Sequence, residues 1–567
     1  MKKIINLVTT PIKKLYSNSH SNLFLGRWCI EDRDSLNNKN IQSYRQEDLI
    51  NYKNFHYINN INNRIFRTLF KKLNKYHNLR LSEKYWKIIL FPWISNFTTT
   101  VFDRWKIIEK VKKENKFQNT NLFNLKDEDF IPFDFAEFYH DFSEQNLWNH
   151  FIFSKILTIL TPKKIKLKKY CGKKIKKDNI EIKNHLIKIN KHQKYFIVNT
   201  YFGKVKSTLI NLSLKSLPII NKHKFYINKK INLQKRKKIK INLNKKNKFE
   251  NFLSKLIPLQ IPHIYLESFI QARKEISKVS WPSKPKIIFS SNILWGNSTE
   301  LFYVAEKFEN FKTKIFTMQH GGTYGQLKFN LAEQHEIDIS DKYLSWGWKK
   351  KNSGNKIIPF SINRKFLDNN SNNNKKNNIS LITKGLRTYS LNNQSDLNYF
   401  DQIKYLKELN FFLNIVNSKF PNKCIVRDKS KFRSWRIDKI VKNYPNILYG
   451  SDNLKFNWYL KNTRIFVCLN NSTTYLQLLN SNYPTLIYFD VNKNIYRPET
   501  INHIKILKRA SIFHDSIDSL IQQLNKIYDD VDTWWNSKKV QHGKDKFIKN
   551  YANNNQNIFK LRKLIKN

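Results

Sequence analysis

Short apolar runs alternate with amphipathic stretches along most of the chain, and this pattern predicts its elements. INLVTT (5–10) and LFLG (23–26) are typical of buried strands near the start. Bulky side chains recur at helical spacing from Ser82 to Trp105, with Ser82 as the predicted N-cap. Asn297 to Glu300 has the spacing of a capping box, which predicts the start of another helix.

In the second half of the chain, strand and helix patterns follow each other regularly. The predicted strands are KPKIIFSSN (284–292), KTKIFTM (312–318), DKYLSWGW (341–348), NISLIT (378–383), KCIVR (423–427), RIFVCL (464–469) and YPTLIYF (483–489). Because parallel strands need helical crossovers, repeated βα units predict parallel sheets with helices on both faces. RIFVCL and TLIYF show little polar alternation, so we expect them to be neighbouring central strands.

These units predict an α/β protein with two doubly wound, Rossmann-like domains that face each other across a cleft. The segment FLDNNSNNNKKNN (366–378) is polar and low in complexity, which indicates a linker between the domains. The first part of the chain adds aromatic-rich helices. We therefore divide the chain into an N-terminal domain (1–350) with a Lys-rich insertion (161–250), a polar linker (351–375), a C-terminal domain (376–530) and a helical tail (531–567).

The net charge of the chain raises the question of which partners the protein binds. The 567 residues carry 103 Lys and Arg against 43 Asp and Glu, a formal charge of +60. Such a charge suits polyanionic partners, but the abundance of Lys, Asn and Ile also fits drift in an A/T-rich genome. Both explanations stay open.

The Lys-rich insertion is equally ambiguous. Its Lys-dense flanks fit solvated hairpins or loops, or a surface for anionic lipid or nucleic acid, and in places they alternate Ile and Leu as in an exposed β-ribbon. Between the flanks, YFIVNTYFG (195–203) predicts a strand and VKSTLINLSLK (205–215) a helix behind it.

Several function classes lose support. The four cysteines, at positions 29, 171, 424 and 468, are isolated, which argues against a disulfide framework or a cysteine-based zinc site. No apolar run reaches the roughly 18 residues of a spanning helix, and the first residues lack the apolar region of a secretory signal. We therefore expect a cytoplasmic protein, and allow for a peripheral place on the inner face of the membrane. Motifs of P-loop ATPases, dinucleotide-binding enzymes, zincins and common hydrolases do not occur.

The sharpest local signal is the segment QHGGTYG (319–325), directly after a predicted strand. Three of the 12 glycines fall within five residues here. Glycine allows positive φ and close backbone approach, and open α/β sheets bind ligands at strand ends. We predict that His320 is a general base toward a hydroxyl acceptor, or a phosphate ligand. The turn at the cleft would be formed by Gln319, Gly321, Gly322, Tyr324 and Gly325; a purely structural turn is the alternative.

A second signal is NNSTT (470–474), between a predicted strand and a predicted helix. Such side chains cap a helix and offer donors beside free backbone N–H groups, which together seat phosphate. We predict that Asn471, Ser472, Thr473 and Thr474 form a phosphate-binding site, although simple capping would explain one of them. Arg387 follows the predicted strand NISLIT and Arg427 ends the predicted strand KCIVR, so both are candidates either for binding phosphate or for plain surface cations.

Metal binding has weaker signals. Asp32–Asp34, Asp127–Asp129 and Asp530–Asp532 each match D-x-D, a spacing that can hold a divalent metal with a nucleotide. None lies at a predicted strand end inside a βα unit, and so short a pattern recurs by chance. We expect no metal site.

Several segments together resemble one protein family. They are FLGRWC (24–29), SEKYWKIILFPW (82–93), VFDRW (101–105), LWNHFIF (147–153), QHGGTYG (319–325), HEIDISDKYLSWGW (335–348), VCLNNSTTYLQLLNSNYPTLIYFD (467–490), IFHDS (512–516) and YDDVDTWW (528–535). In this order, over most of the chain, they resemble bacterial transferases encoded in O-antigen and surface-polysaccharide biosynthesis loci. The Lys-rich insertion is not part of the resemblance.

The resemblance implies a GT-B-like glycosyltransferase. Its nucleotide-activated sugar donor would be held mainly by the C-terminal domain, and its acceptor, a glycan of O-antigen or capsule type on a lipid carrier, by the N-terminal domain. By position, NNSTT would face the donor phosphate and QHGG the cleft. The family's helix after NSTT is expected to carry an acidic residue where this chain has Gln477, so the donor contact there would differ. GT-B enzymes commonly need no metal, so we expect neither a metal nor another cofactor.

Two other functions stay open on the sequence. One is a nucleic-acid-binding protein that uses the Lys-rich insertion, although no known binding module is visible in it. The other is a catalytically inactive scaffold for polysaccharide assembly. The nucleic-acid-binding function does not explain QHGG or NNSTT.

Overall fold

A computed structural model describes residues 4–29, 41–42, 52–170, 191–218, 230–350, 354–363, 366, 376–389, 399–428, 436–450, 454–491, 495–555 and 557–566. The chain forms two compact units. Unit 1 comprises Met1–Val198, Lys215–Ile315 and Tyr389–Asn393, and unit 2 comprises Asn199–Leu214, Phe316–Thr388 and Gln394–Asn567. The domain boundaries expected from the sequence remain predictions, because a compact unit need not coincide with an acceptor or a donor domain.

The strands of the described residues are β1 (Ile5–Val8), β2 (Ser21–Phe24), β3 (Asn119–Phe123), β4 (Ile165–Lys168), β5 (Tyr195–Val198), β6 (Ile287–Ser290), β7 (Lys314–Met318), β8 (Lys342–Ser345), β9 (Ile357–Pro359), β10 (Asn378–Ile382), β11 (Cys424–Arg427), β12 (Ile447–Tyr449), β13 (Thr463–Cys468), β14 (Thr485–Tyr488) and β15 (Phe513–His514).

The α-helices of the described residues are α1 (Tyr52–His77), α2 (Glu83–Glu114), α3 (Phe135–Glu144), α4 (Asn146–Leu160), α5 (Lys204–Ser213), α6 (Leu233–Lys237), α7 (Lys248–Gln260), α8 (Phe269–Lys278), α9 (Ser298–Phe311), α10 (Leu331–Ile339), α11 (Tyr399–Lys419), α12 (Ile437–Lys442), α13 (Phe456–Asn462), α14 (Thr473–Asn480), α15 (Pro498–Arg509), α16 (Ile517–Ile527), α17 (Val531–Asn536), α18 (Lys538–Tyr551) and α19 (Ile558–Lys566).

Unit 1 contains a parallel sheet in the order β2-β1-β3-β4 and a parallel pair, β5 and β6. Three residues of β1 are buried, which confirms the first predicted strand. The predicted Ser82 cap is confirmed as well, since the Ser82 hydroxyl accepts a hydrogen bond from Tyr85 N at 3.2 Å. Asn297 caps α9 in the same way, accepting from Thr299 N at 2.9 Å.

Helix α2 is the centre of unit 1 and runs nine residues beyond the predicted end at Trp105. It packs against α1, α4 and α9, and its apolar middle is buried on all sides. Burial inside the protein explains why residues 88–94 of this helix are apolar all round. None of the helices in the described ranges combines the length and the apolar character that crossing a bilayer requires.

The Lys-rich insertion forms a ribbon only in part. Ile165–Lys168 is a strand, β4, but residues 233–237 form helix α6. After α6, Ile239, Ile241 and Leu243 alternate buried with exposed neighbours without being a strand, so the expectation of a ribbon there is wrong. The alternation arises because one face of this segment is buried, and not because the segment pairs with another strand. Residues 171–190 and 219–229 lie outside the described residues.

Unit 2 holds parallel strands in two groups. In the first, β8 pairs with the end of β7 on one side and with β9 on the other. Strand β9 lies within the range predicted as a linker, while most of FLDNNSNNNKKNN lies outside the described residues. Helices α17, α18 and α19 occupy the range predicted as a helical tail.

The second group is a six-stranded parallel sheet in the order β12-β11-β10-β13-β14-β15. Numbered along the chain within this sheet, the order is 3-2-1-4-5-6, the doubly wound arrangement expected from repeated βα units. Strands β13 and β14 are interior neighbours, with Val467 opposite Leu486. The prediction that RIFVCL and TLIYF lie side by side in the centre of a parallel sheet is therefore confirmed.

Candidate functional site

The strand order of the six-stranded sheet reverses between β10 and β13. Ile382 at the end of β10 is opposite Cys468 at the end of β13, so the loops that follow these strands start side by side. Asn470 joins them, since its Nδ2 donates to the Ile382 carbonyl at 2.9 Å. Doubly wound sheets bind ligands at such a reversal, outside the carboxyl ends of the strands. The predicted donor segment lies at this point.

Asn471 connects the reversal to a cation that the sequence reasoning missed. Its Nδ2 donates to the Tyr496 hydroxyl at 2.9 Å, and its Oδ1 accepts from Lys384 Nζ at 3.4 Å. Lys384 is the second residue after β10 and is half-buried. The signal for Lys384 in the sequence is its position directly after the predicted strand NISLIT; the predicted cation Arg387 lies in the same loop.

Helix α14 starts at the reversal without a side-chain cap from its N-cap residue. The Ser472 hydroxyl makes no cap hydrogen bond, and the Ser472 N–H donates to Asn470 Oδ1 at 3.0 Å. The Thr473 hydroxyl is engaged elsewhere, by Gly322 N at 3.0 Å. Free helix amides and the positive end of the helix dipole attract phosphate. Together with Lys384, they make this corner suitable for an anion.

The turn after β7 is organised by Gln319, which is fully buried. Its side-chain oxygen accepts from Trp346 N at 2.9 Å and from Trp348 Nε1 at 2.7 Å. Its side-chain nitrogen donates to the Gly321 carbonyl at 2.8 Å. With both ends of its amide bonded inside the protein, Gln319 shapes the turn.

Two glycines of the turn are required by their surroundings. A Cβ at Gly322 would lie 2.8 Å from Thr473 Cα, so only glycine lets the turn approach the start of α14. Gly325 has a φ of +77°, and a Cβ there would lie 2.3 Å from the Trp348 ring. The two segments that the sequence singled out, QHGG and NNSTT, are thus in direct contact within unit 2.

His320 lies beside two groups that can exchange protons. Its Nδ1 is 3.5 Å from Glu336 Oε1, and its Nε2 is 3.4 Å from the Tyr324 hydroxyl. The same hydroxyl is 3.4 Å from Glu336 Oε1. The His320 side chain is 19% exposed and the Glu336 side chain 1%. A substrate can therefore reach the imidazole but not the carboxyl group.

Glu336 and Glu333, both on α10, have different surroundings. Burial raises the pKa of the Glu336 carboxyl well above its usual range; the Tyr324 hydrogen bond opposes this, and Glu333 adds to it. Glu333 has a positive partner, since Arg497 Nη2 donates to it at 2.5 Å. Burial therefore favours the neutral form of Glu336, next to His320.

The other predicted residues lie around the reversal or near it. Thr474 is the second residue of α14, and Gln477, half-buried, is one turn further along. Arg387 is half-buried in the loop after β10. Arg427 ends β11, next to β10, with its guanidinium 4.3 Å from the centre of the Phe456 ring. Their roles in donor binding stay predictions.

The D-x-D segments have structural roles where the structure describes them. Asp127 forms an ion pair with Lys155 at 2.6 Å, and Asp530 caps α17 by accepting from Thr533 N at 3.2 Å. Asp32–Asp34 lies outside the described residues. Within the described ranges, no group of three or more His, Cys, Asp or Glu side chains is arranged to hold a metal ion.

Comparisons with known proteins add a family and loose structural likenesses. The family model described as LIC12162 family transferase matches residues 5–565. No curated protein matches the sequence. Among solved structures, MurG of Acinetobacter baumannii is 8% identical, with 52% of this chain and 76% of that chain covered and a TM-score of 0.30.

Two further structures are similar at the same level. UDP-GlcNAc 2-epimerase of Neisseria meningitidis, bound to UDP-GlcNAc, is 11% identical over 53% of this chain and 81% of that chain, with a TM-score of 0.31. The glycotransferase of kitacinnamycin is 9% identical over 53% and 79%, with a TM-score of 0.29. All three TM-scores are low, so these likenesses carry no weight for the function of this chain.

Proposed function

The chain belongs to the LIC12162 family of transferases, and on that premise we propose that it is a glycosyltransferase, which moves a sugar from a nucleotide-activated donor to a surface-polysaccharide acceptor. One observation carries the proposal: the His320 turn contacts the start of α14, with Gly322 N 3.0 Å from Thr473 Oγ1. Sugar transfer needs a base for the acceptor close to a seat for the donor phosphate, because the reacting groups must be held together.

The donor phosphates would bind at the strand reversal. The amides at the start of α14, the Ser472 hydroxyl and the Lys384 ammonium would stabilise the negative charge that develops on the leaving phosphate. Asn471 holds Lys384 toward this corner through its 3.4 Å contact. Arg387 and Arg427 would add positive charge from the neighbouring loops. On this proposal the leaving group is stabilised without a metal ion.

His320 would activate the acceptor. As the bond from the sugar carbon to the donor phosphate breaks, the acceptor oxygen bonds to that carbon and its proton passes to His320 Nε2. Glu336 Oε1, near Nδ1, would hold the imidazole with Nδ1 protonated and Nε2 ready to accept. The Tyr324 hydroxyl is 3.4 Å from Nε2, a long contact that an acceptor hydroxyl can replace.

The nature of the acceptor is supported by the sequence resemblance to proteins of polysaccharide loci. An O-antigen or capsule glycan that grows on a lipid carrier would place the enzyme at the inner face of the cytoplasmic membrane. The charge of +60 suits an anionic lipid surface, although it also suits other polyanions.

A thermal-shift screen against nucleotide-activated sugars and free nucleotides tests the donor. A true donor at 100 times its dissociation constant adds about 2.7 kcal/mol of stability. We expect one nucleotide series to stabilise the protein, and Ser472→Ala to reduce that shift. If none does so while single-stranded nucleic acid does, the alternative of a nucleic-acid-binding protein replaces this proposal.

A further inference from the structure

Helix α5 has two apolar faces, and one of them is exposed. Ile210 is buried on the face that packs onto the rest of the protein. Val205, Leu209 and Leu212 recur at i, i+4 and i+7, so they form one stripe on the opposite side. Val205 is 75% exposed, and Leu209 and Leu212 are also exposed. A surface helix normally turns only one apolar stripe away from water.

Helix α19 packs against α5. Leu561 and Ile565 are buried, and Lys342 Nζ donates to the Leu564 carbonyl at 3.3 Å, which fixes α19 in place. Phe559, on the outer side, is 78% exposed, the highest value among the large hydrophobic side chains in the described ranges. Lys563 and Lys566, four and seven residues later, share its face.

Charge separates this surface from an ordinary apolar patch. The two helices carry six cationic side chains and no acidic one: Lys204, Lys206, Lys560, Arg562, Lys563 and Lys566. Aliphatic and aromatic side chains surrounded by lysines are the pattern of helices that lie in the interface of an anionic bilayer. Nucleic acid would not require the aliphatic stripe, and an apolar protein partner would not require six cations.

We propose that α5 and α19 form a docking surface for an anionic membrane. The docking surface is defined by the exposed apolar side chains Val205, Leu209, Leu212 and Phe559 and the six cations around them. α5 lies inside the Lys-rich insertion, between its Lys-dense flanks, so membrane contact would come from the folded helix in its middle.

The docking surface starts next to the candidate site. Tyr201, three residues before α5, has its ring 6.4 Å from the His320 ring. The amide of Asn363 ties the two segments together, donating to the Thr200 carbonyl at 3.2 Å and to the Gln319 carbonyl at 3.1 Å. Helix α5 is only about 15 Å long. Docking would therefore bring His320 close to the lipid headgroups, where the sugar end of a lipid-linked acceptor lies; this step alone rests on the proposed function.

Vesicle flotation of the full-length protein tests the docking surface. We expect binding to vesicles of phosphatidylglycerol and phosphatidylcholine in equal parts, weak binding to phosphatidylcholine alone, and release by salt. Val205→Ser, Leu209→Gln, Leu212→Gln and Phe559→Ser together should weaken binding by at least about tenfold, because even one inserted apolar side chain contributes about that factor. Lys560→Gln, Lys563→Gln and Lys566→Gln should also weaken it about tenfold or more at low salt.

The controls are double substitutions of residues of the same kind elsewhere in unit 2. Phe411→Ser with Leu448→Gln removes two exposed apolar side chains of α11 and β12, and Lys455→Gln with Lys461→Gln removes two exposed charges at α13. Both controls should float like the wild type. Circular dichroism shows whether each variant is folded.

Three results would overturn the docking surface. One is equal flotation of the apolar variant and its control. Another is a dimer in solution that the apolar variant abolishes while no form floats, which would make the surface a protein interface. The third is stronger binding to single-stranded RNA that needs the lysines but not the apolar residues. Donor binding is measured separately by thermal shift, so failure of the proposed function would leave vesicle binding unchanged.

Discussion

Two histidines lie next to the carboxyl ends of parallel strands, one in each unit, and their surroundings differ. His150 in unit 1 is fully buried; its Nδ1 is 2.8 Å from the Thr9 hydroxyl and its Nε2 accepts from Phe123 N at 3.3 Å. Burial lowers the pKa of His150 to about 3, so it stays neutral. His320 in unit 2 is partly exposed, and its neighbours are a hydroxyl and a buried acid.

The sheet edges next to the two histidines also differ: the edge in unit 1 is closed by side chains, and the edge in unit 2 is open. The sheet of unit 1 also reverses its order, between β1 and β3, but side chains close that edge: Trp28 Nε1 donates to the Thr9 carbonyl at 3.0 Å. At the reversal of unit 2, Lys384 and Ser472 are only half-buried. Topology therefore provides two possible ligand positions, and the packing of side chains leaves one of them open.

The largest effect is expected at His320. His320→Ala should lower turnover by about 10²–10⁴-fold with nearly unchanged donor affinity, because it removes the base and leaves the phosphate seat. His320→Gln keeps hydrogen bonding without basicity and should be about as inactive. Steady-state kinetics and donor calorimetry measure the two quantities. If glutamine restores activity, His320 positions a ligand and does not accept a proton.

Gly322→Ala should move the turn that carries His320 away from the start of α14. The added Cβ would meet the Thr473 backbone at 2.8 Å, so the turn must move away from α14. A displacement of about 1 Å in a reacting group can cost about 10²-fold in rate. Gly321→Ala is the comparison, since its Cβ meets only the Tyr324 ring, at 3.2 Å. Equal kinetics for the two variants would count against the contact.

Ser472→Ala probes the phosphate seat alone. A hydrogen bond to a charged phosphate contributes about 1–3 kcal/mol, which corresponds to about 5- to 150-fold in the dissociation constant of the donor. The hydroxyl makes no cap bond in α14, so thermal stability without donor should hardly change. Unchanged donor affinity in calorimetry would mean that NNSTT (470–474) only begins α14 and does not bind the donor.

Glu336→Gln tests the contrast between the surroundings of His320 and His150 through the pH dependence of protein stability. The pKa of this carboxyl is higher in the folded than in the unfolded protein, so its contribution is complete below the unfolded value of about 4.3 and is lost as pH rises toward the folded value. The loss is at most about 1.4 kcal/mol per pH unit. The glutamine variant should therefore gain stability relative to wild type with rising pH, while its turnover falls.

Urea unfolding at several pH values measures the stability effect of Glu336→Gln. Glu333→Gln is a contrasting variant, because it removes the partner of Arg497 and should destabilise the protein. A stability difference between wild type and Glu336→Gln that does not vary with pH would contradict a buried neutral acid at this position.

The smallest effect on turnover is expected at His150. His150→Gln should cost about 1–3 kcal/mol of stability, because it disturbs the buried hydrogen bonds to Thr9 and Phe123. Turnover per folded molecule should stay at the wild-type level. A loss of activity as large as that of His320→Ala would show that the unit 1 edge also takes part in the reaction.

Local patterns predicted those parts of the fold that depend on local sequence. The apolar runs of β13 and β14 and the caps at Ser82 and Asn297 were readable because their physics involves neighbouring residues. Strand β9 was missed because three residues in a polar region give no period. The prediction of a ribbon after α6 is wrong because alternating apolar and polar residues indicate that one face is buried, but do not show that the segment pairs with another strand.

The candidate site was predictable in its segments but not in its geometry. Glycine at Gly322 indicated a close backbone approach, yet the approaching group is the protein's own α14, 151 residues along the chain. Such contacts follow from topology, which a single sequence does not show. The sequence does not single out Glu336 as the partner of His320, because the residue type alone does not show whether a glutamate on a helix is buried or exposed.

Hydrogen exchange with and without a nucleotide-sugar donor tests most directly that the open edge in unit 2 is the binding site. Backbone amides in 319–325, 383–388 and 470–475 should exchange more slowly together when the donor is bound. Those around Thr9 and Phe123, at the closed edge, should not change. Protection at the Thr9 edge without protection of the Gly322 and Ser472 segments would contradict the account.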